Sequence, residues 1–387
     1  MRFADTPGLA VWRAEVREFV RGTWGTDSGS EFLGLMGVFD ESRTRPWLDA
    51  LARRGWIAAA WPKEYGGADL SILKQFVLTQ EITEAGAPTS RRMLNLVGPT
   101  IMLHGTAAQK SVHLPPMLRG ETAWCQGFSE PGAGSDLASL RTAAVRDGDS
   151  YVVNGQKIWT SGAHIADWMF LLVRTDSSAP KHRGISYLLV DMHSPGITVR
   201  PLLSLDGAHG FNEVFFEDVR VPLENRVGEE NAGWYVATST LDFERSNIAL
   251  AITARRGLKR LANYLAARPR RASAAQRSEL ANRAIEISVA ELLSFVVVSI
   301  QAKGGVPNME ASCCKMFGTE LWQRLAATKM ALTGMQGQLS TPAGLEAKFG
   351  VHSSIEYLNT VATTIAGGTS EIQRDIIATR GLGLPKA

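Results

Sequence analysis

The chain has 387 residues, of which 45% are hydrophobic and 20% charged, and its formal net charge is +3. This length and composition indicate a globular, soluble protein with two or three structural units and a sizeable core. The charge is too small to indicate nucleic-acid binding by itself, although it suits an acidic ligand.

Cysteine and histidine usage gives no sign of a metal site. Cys125, Cys313 and Cys314 form no CxxC or paired metal spacing, so we expect a reduced compartment without disulfides. The seven histidines show no metal-binding spacing either. The N-terminal residues are too charged for a signal peptide, and the longest apolar run, around Leu292–Ile300, is too short to cross a membrane. We therefore expect a cytoplasmic protein with no membrane partner.

Residues 1–120 are predicted to be mainly helical. Apolar residues recur at helical spacing in Val11–Val20, and Ile72–Ala85 and Met93–His104 are further helix candidates. Glycines and prolines, including Pro115–Pro116, punctuate these runs. The segment is therefore predicted to form an N-terminal helical domain.

Residues 121–227 are predicted to form a β domain. Gly, Pro, Asp and Ser separate short β-rich runs at spacings typical of an antiparallel barrel or sandwich. A parallel sheet would need a helix between successive strands, and none fits. The candidate strands are Thr122–Phe128, Tyr151–Ile158, Trp168–Thr175, Ile185–Asp191, Ile197–Leu203 and Glu213–Val221.

Residues 228–387 return to helical patterns, whose apolar stripes suit a helix bundle. The order predicts an α+β protein with an N-terminal helical domain, a middle antiparallel β-barrel domain and a C-terminal four-helix bundle. The candidate helices of the last segment are Trp234–Leu265, Gln276–Lys303, Met309–Leu332, Ser353–Ile365 and Ser370–Thr379.

Three motifs are candidates for a binding site: CQGFSEPGAGSD at Cys125–Asp136, NGQKIWTSG at Asn154–Gly162 and GGTSEIQR at Gly367–Arg374. In the first, Gly132 and Gly134 allow main chain to approach a ligand closely, and such loops hold phosphates or a polar ring edge. A surface β-turn is the simpler explanation for that motif alone, and core packing is the simpler explanation for a single tryptophan.

The three motifs, in this order, resemble the signature of the acyl-CoA dehydrogenases, and the α–β–α order resembles their fold over essentially the whole chain. The resemblance implies FAD as cofactor and an acyl-CoA substrate, oxidised to the trans-2-enoyl-CoA in fatty-acid, lipid or steroid degradation. It also implies an electron-transferring flavoprotein as the electron acceptor.

The resemblance assigns roles to residues of the motifs. Phe128 and Ser129 would lie against the isoalloxazine ring and Trp159 would cover one of its faces. Thr160 and Ser161 would bond the polar edge near N5, where donors favour hydride acceptance. Ser135 would also lie near coenzyme A. The remaining cofactor contacts would be Gln126, Gly134, Ser135, Arg268, Thr369, Ser370 and Glu371.

The reaction needs a carboxylate that removes the proton next to the thioester. Many family members place it just before the GTS of the third motif, where this chain has Gly367. Isovaleryl-CoA dehydrogenase-like enzymes place it in a run similar to LDLER, and LDFER here nominates Glu244. An acid within an apolar stripe is anomalous, and burial there would raise its pKa, as a general base near neutrality requires. A Glu-Arg pair on a solvated helix face is the alternative. At helical spacing Glu244 shares one face with Ala237, Leu241, Ile248 and Ala251.

Substrate contacts are implied on both sides of this acid and at the third motif. Asp242 and Arg245 would contact coenzyme A, and an i,i+3 salt bridge between them is equally compatible with the sequence. The N–H of Gly367 would bond the thioester oxygen, and Gly368 would touch the substrate. Ser370 and Gln373 also match a capping box at a helix start.

Two places depart from the family pattern. Arg268–Ser273 lacks the Phe-Gly that follows a pyrophosphate-binding arginine in relatives, and Ala331–Gly337 lacks the glutamine expected near adenosine. Arg268 or Arg277 could substitute for the pyrophosphate-binding arginine. We therefore expect either a homo-oligomer or an α2β2 heterotetramer in which a related chain completes the FAD site.

Two other functions remain compatible with the sequence. A flavin oxidase or monooxygenase on the same fold would let oxygen reach the flavin and would form peroxide without an artificial acceptor. A non-catalytic subunit of a heteromeric acyl-CoA dehydrogenase would not need Glu244. The residues do not specify whether the acyl group is fatty, branched or a steroid side chain.

Overall fold

A computed structural model describes residues 5–25, 41–89, 93–240, 248–268, 272–338 and 353–385. The chain divides into two compact units that each combine distant segments. The helical unit comprises Met1–Ala50, Leu70–Thr89 and Arg245–Ala387, and the sheet unit comprises Leu51–Asp69 and Ser90–Glu244. The three-domain division at 120/121 and 227/228 stays a prediction.

The described elements confirm the mixed helix-and-sheet class. The helices are α1 (Pro7–Thr23), α2 (Glu41–Arg53), α3 (Ile72–Glu84), α4 (Leu94–His104), α5 (Ala107–Arg119), α6 (Gly233–Thr240), α7 (Ile248–Ala266), α8 (Ala274–Gln301), α9 (Met309–Thr333), α10 (Ser353–Thr363) and α11 (Ser370–Ile376). The strands are β1 (Trp124–Gly127), β2 (Ala143–Asp147), β3 (Ser150–Lys157), β4 (Trp168–Arg174), β5 (Ile185–Asp191), β6 (Ile197–Leu203), β7 (His209–Pro222) and β8 (Arg226–Val227).

In the helical unit, α3, α7, α8 and α9 pack on one another through a shared apolar core. Their stripes recur every three or four residues, which places the apolar side chains on one face of each helix. The buried core includes Phe76, Ile252, Ile287, Leu321 and Leu325. Helices α7, α8 and α9 belong to the bundle that the C-terminal patterns predicted, whereas α3 joins them from the N-terminal segment.

Helix starts follow capping signals in the sequence. Ser273 accepts the N–H of Gln276 at 3.2 Å, and the Gln276 side chain accepts the N–H of Ser273, so α8 begins with a capping box. At α11 the prediction was wrong by one residue: the cap is Thr369, whose hydroxyl accepts the N–H of Ile372 at 3.2 Å. The hydroxyl of Ser370 is buried and has no partner among the described residues.

The sheet unit has eight strands in the order β6-β7-β3-β2-β4-β5-β8, with β1 pairing to β4. Five pairings are antiparallel, as expected, whereas β1 and β2 each run parallel to β4. The core lies among β3, β4, β5 and β7. Its buried side chains include Tyr151, Met169, Leu188 and Val219.

Four elements escaped the sequence patterns, and the first of them is helix α2. Helix α5 contains Pro115 and Pro116, which had been taken as a break. Strand β2 has mostly exposed residues, so it lacks a clear apolar alternation. Strand β8 is only two residues long.

Helix α8 is long and apolar enough to cross a membrane by length and composition alone, with a mean hydropathy of 1.7 over 18 residues. The shorter run considered in the sequence had excluded such a span. The helix nevertheless packs along α7 and α9 within the helical unit, with Ile287, Ala290 and Val297 buried. Its other side exposes Ile285 and Leu292.

A buried ion pair joins α9 to α10. Lys329, 1% exposed, donates to both carboxylate oxygens of Glu356 at 2.7 and 2.5 Å, and Trp322 Nε1 donates to the same carboxylate at 2.9 Å. Buried charges are tolerated only when paired and hydrogen-bonded, so α10 cannot leave α9 without exposing or orphaning a charge.

We predict that Glu356→Leu lowers the free energy of unfolding by about 3–5 kcal/mol, because it leaves the Lys329 ammonium buried without its partner. Urea denaturation measures the change. The double variant Lys329→Met/Glu356→Leu should recover much of the loss, since neither charge remains. Equal losses in the single and double variants would contradict the account.

Candidate functional site

The sheet unit carries the first two motifs, and the helical unit carries the third. In the first motif, Phe128 follows β1 and is nearly buried, 9% exposed. Its ring lies edge-on to Phe170 at 5.6 Å and to Tyr187 at 6.3 Å. Gly134 and Ser135 follow on an exposed part of the loop, where a Cβ at Gly134 would meet no atom within 4 Å.

A buried lysine ties the first motif to the second. Lys157, at the end of β3 and fully buried, donates to the carbonyl of Phe128 at 3.0 Å and to the Glu130 carboxylate at 2.8 Å. Glu130 also accepts the main-chain N–H groups of Arg141 and Thr142 at 2.7 and 2.8 Å. Desolvation lowers the pKa of Lys157 to about 8, although the Glu130 charge opposes that shift.

The second motif turns sharply just after this lysine. Ile158 donates its N–H to the carbonyl of Ser129 at 2.9 Å, which makes a further tie between the two motifs. Trp159 has φ of 59°, a left-handed conformation that is rare for a bulky residue. Its ring is 60% exposed and lies edge-on to Phe211 at 5.8 Å. A strained backbone that presents an exposed aromatic ring is typical of a ligand site.

Thr160, next in the chain, is fully buried, and its hydroxyl has no hydrogen-bond partner among the described residues. Its main-chain N–H donates to the carbonyl of Asn212 at 3.0 Å. An unsatisfied buried hydroxyl in a native fold requires an explanation, and a bound polar ligand supplies one.

In the helical unit, Gly367 and Gly368 have φ of 66° and 86°, conformations that glycine adopts without strain. The carbonyl of Gly368 accepts from Lys315 Nζ at 2.8 Å, and the carbonyl of Gly367 accepts from Gln373 Nε2 at 3.1 Å. Burial lowers the pKa of Lys315. Within the described chain, the N–H groups of Gly367, Gly368 and Thr369 meet no acceptor, so they remain available to a ligand.

The other residues of the third motif differ in exposure. Ser370 is 6% exposed, whereas the Glu371 side chain is 80% exposed and lies 3.8 Å from Arg374. The main-chain N–H of Glu371 and the Thr369 hydroxyl hold the pKa of the Glu371 carboxyl below its usual range.

The two segments that depart from the family pattern meet within the helical unit. Arg268 donates to Gln336 Oε1 at 3.1 Å, and its guanidinium lies over the Tyr264 ring at 4.4 Å. The Tyr264 hydroxyl bonds both of these side chains. Arg268 is therefore held against the Ala331–Gly337 segment, although its planar group is partly engaged by protein.

Three predicted residues, Glu244, Asp242 and Arg245, lie outside the described residues, as does Leu241 of the predicted stripe. The other members of that stripe, Ala237, Ile248 and Ala251, are each 2–3% exposed. No group of three metal-ligating side chains occurs among the residues that the structure describes.

Sequence reasoning missed several residues that hold the motifs. Lys157 and Glu130 stand inside the motifs and were not singled out, because a charge in a loop is ordinarily solvated. Asn212 and Lys315 lie far along the chain from the loops that they bind, so no local pattern identifies them.

The residues present fit a flavin. In the sheet unit, the exposed Trp159 and the nearly buried Phe128 offer aromatic surface to a planar ring, and the buried Thr160 hydroxyl lacks a partner among the described residues that a polar cofactor can supply. In the helical unit, the N–H groups from Gly367 to Thr369, which meet no acceptor among the described residues, suit an oxygen that carries negative charge.

Family models match the chain along its length. The N-terminal, middle and C-terminal domains of acyl-CoA dehydrogenase match residues 11–121, 125–219 and 231–382. The chain therefore belongs to the acyl-CoA dehydrogenase family, whose members are flavin-dependent oxidoreductases.

Curated relatives agree over the full length. The chain is 37% identical to acyl-CoA dehydrogenase FadE26 of Mycobacterium tuberculosis, with 100% of both chains covered. It is also 37% identical to acyl-CoA dehydrogenase IpdE1 of the same organism, with 96% of this chain and 98% of the relative covered.

Solved structures show the same fold. One is named "Tcur3481-Tcur3483 steroid ACAD", with a TM-score of 0.85, 34% identity and 100% of both chains covered. Another is the ChsE4-ChsE5 complex from Mycobacterium tuberculosis, with a TM-score of 0.84, 35% identity and the same coverage. The predicted family and its α+β fold are confirmed.

We predict that the free energy of unfolding of Glu130→Gln falls less steeply than that of the wild type as pH is lowered. Burial by itself raises the Glu130 pKa, but the Lys157 charge and the bonds from Thr142 outweigh burial and lower it overall. A lowered folded-state pKa stabilises the native state above the unfolded value, and that stability is lost as pH falls through the folded value. Urea denaturation from pH 7 to pH 3.5 measures the difference.

Glu371→Gln is the matched control, because its pKa is also lowered but its side chain is exposed. It should change the profile much less, since solvent screens an exposed charge. Identical profiles for the wild type and Glu130→Gln would show that this carboxylate contributes nothing to folding.

Proposed function

We propose that the protein catalyses FAD-dependent α,β-dehydrogenation of an acyl-CoA thioester to the trans-2-enoyl-CoA. The observation that supports this most is the strained, exposed Trp159 followed by Thr160, whose buried hydroxyl has no partner among the described residues. Family membership supports the reaction class, and the separate flavin and substrate roles of individual residues remain proposals.

When bound, FAD supplies the acceptor for the β-hydride. Phe128, Ser129 and Trp159 bind its ring, and Thr160 and Ser161 donate to its polar edge. Gln126, Gly134, Ser135 and Arg268, together with Thr369, Ser370 and Glu371, complete the proposed contacts. The Lys157 tie keeps the two loops fixed, so little reorganisation is needed on binding.

The proton at the α carbon goes to the carboxylate of Glu244. The N–H of Gly367 donates to the thioester oxygen and stabilises the negative charge that develops there, while Gly368 contacts the acyl group. Gln373 and Lys315 donate to the carbonyls of Gly367 and Gly368, which fixes the peptide planes that carry the N–H groups of the next residues, Gly368 and Thr369. Asp242 and Arg245 bind coenzyme A.

The proposed substrate carries a bulky acyl group of the steroid side-chain class. A Cβ at Gly367 would meet no atom of the described residues within 4 Å, so these residues leave open the place where many family members carry the base. The structural neighbour named as a steroid ACAD has the same fold at 34% identity. Electrons then pass to an electron-transferring flavoprotein in the cytoplasm.

The proposed assembly is an α2β2 heterotetramer with a related chain. The departures at Arg268–Ser273 and Ala331–Gly337 leave the adenosine end of FAD short of the expected residues. Both solved relatives carry paired names, Tcur3481-Tcur3483 and ChsE4-ChsE5. The exposed apolar residues Ile285 and Leu292 on α8 offer a surface for such a chain.

We predict that Glu244→Gln retains FAD but lowers turnover of an acyl-CoA with an artificial electron acceptor by about 10²–10⁴-fold, because the amide cannot take the proton. Exchange of the α-proton into deuterated water, followed by mass spectrometry, should be lost in parallel. Glu224→Gln, at an exposed glutamate, is the control and should behave as the wild type. Unchanged turnover would remove Glu244 from the mechanism.

We predict that the chain expressed alone retains FAD below one equivalent, and that co-expression with a related family chain restores one FAD per site, because the partner supplies the adenosine-binding residues. Flavin absorbance after gel filtration measures the ratio. Full occupancy and activity of the isolated chain would exclude a required partner. Co-purification with FAD but without turnover would favour the non-catalytic subunit instead.

A further inference from the structure

Asn212, on β7, holds the main chain of Thr160 at both polar groups. Its carbonyl accepts the N–H of Thr160 at 3.0 Å, and its side-chain Nδ2 donates to the carbonyl of Thr160 at 3.0 Å. Asn212 is fully buried. This double tie falls on the residue whose hydroxyl lacks a partner among the described residues, and 52 positions separate the two residues in sequence.

Two imidazoles hold the Asn212 amide in turn. Nδ2 also contacts Nδ1 of His164 at 3.2 Å, and Oδ1 contacts Nε2 of His209 at 2.8 Å. The Thr160 carbonyl can only accept, so it must face the amide nitrogen and not the amide oxygen. His164 Nδ1 is then an acceptor and His209 Nε2 a donor.

The two histidine rings stack with their centroids 4.1 Å apart. Both N–H donors of the amide and its carbonyl oxygen are thereby engaged, and the side chain has one orientation. A buried polar network in which every group is satisfied is rigid and specifies a single arrangement.

The hydrogen bonds of Asn212 help to hold the strained backbone of Trp159. Trp159 needs support on both sides to keep its left-handed backbone. On one side Ile158 bonds Ser129, and on the other Asn212 bonds Thr160. Gly162 adds a bond from its N–H to the carbonyl of Gly210 at 3.0 Å.

We infer that Asn212 is a positioning residue for the flavin, which sets the Thr160 hydroxyl and the Trp159 ring through its four hydrogen bonds. This inference rests on the proposed function, since it takes Trp159 and Thr160 as flavin contacts. His164 and His209 act one step further away, by fixing the Asn212 amide.

The test compares Asn212→Asp and Asn212→Ala with the wild type, each in the assembly in which the wild type holds FAD. Asn212→Asp sets a carboxylate oxygen against the Thr160 carbonyl and adds a negative charge near the flavin edge. Asn212→Ala removes the side-chain bonds alone and keeps the main-chain acceptor. Asn225→Asp is the matched control, because Asn225 lies in the same unit but outside the three motifs.

Three measurements are made: the thermal transition by circular dichroism, the dissociation constant of FAD by flavin fluorescence and the midpoint potential of the bound flavin. We expect both Asn212 variants to bind FAD about tenfold more weakly or worse. Asn212→Asp should also shift the potential to a more negative value, because its charge disfavours hydride acceptance. The control should keep both flavin values.

A folded Asn212→Ala variant with wild-type FAD affinity, together with an unchanged potential in Asn212→Asp, would overturn the inference and leave the proposed function standing. If Asn212→Asp does not fold, the affinity and flavin absorbance spectrum of Asn212→Ala decide alone. A wild type that takes up no FAD, alone or with a related chain, would overturn the proposed function and this inference together.

Discussion

The buried ion pair between Lys157 and Glu130 is the interaction on which the candidate site in the sheet unit depends. The Lys157 ammonium is fully buried and is paired with Glu130, and it also donates to the main chain of Phe128. Separating the two loops would leave a buried charge without partners, which costs several kcal/mol. The loops therefore keep one arrangement before any ligand arrives, and Trp159 can hold a strained backbone at the end of this support.

In the helical unit too, side chains bond main-chain carbonyls and hold a loop in one arrangement. Lys315 and Gln373 donate to the carbonyls of Gly368 and Gly367, and the N–H groups from Gly367 to Thr369 meet no acceptor among the described residues. Loss of a glutamate from this loop does not affect an N–H donor, because every residue type except proline carries one. The proposed placement of the acid at Glu244 is therefore compatible with backbone donors for a developing oxyanion at this loop.

The sequence predicted the parts of the fold that have local causes. The apolar, β-branched composition of runs such as Ile185–Asp191 predicts strands, and glycine-rich stretches predict the loops between them. Helix α5 was missed because Pro115 and Pro116 ordinarily end helices. The cap of α11 was placed one residue late, since Thr369 and Ser370 are both good caps and only the geometry separates them.

The site was predictable only where its residues are adjacent in the chain. Trp159 and Thr160 stand in a recognisable motif, whereas Asn212 reaches Thr160 from a distant strand and Lys315 reaches Gly368 from another helix. Such ties depend on tertiary packing, which periodicity does not encode. Glu244 was nominated by helical spacing and family resemblance together, and its role stays a prediction.

The most direct test of the account is the stoichiometry of one turnover. FAD-loaded protein is mixed anaerobically with a steroid side-chain acyl-CoA while the flavin absorbance is followed. The mass of the coenzyme A ester is then determined by mass spectrometry. The account predicts that each flavin bleached yields one trans-2-enoyl-CoA, lighter than its substrate by two hydrogens. Flavin that stays oxidised with every acyl-CoA offered, or bleaching without an enoyl product, would contradict it.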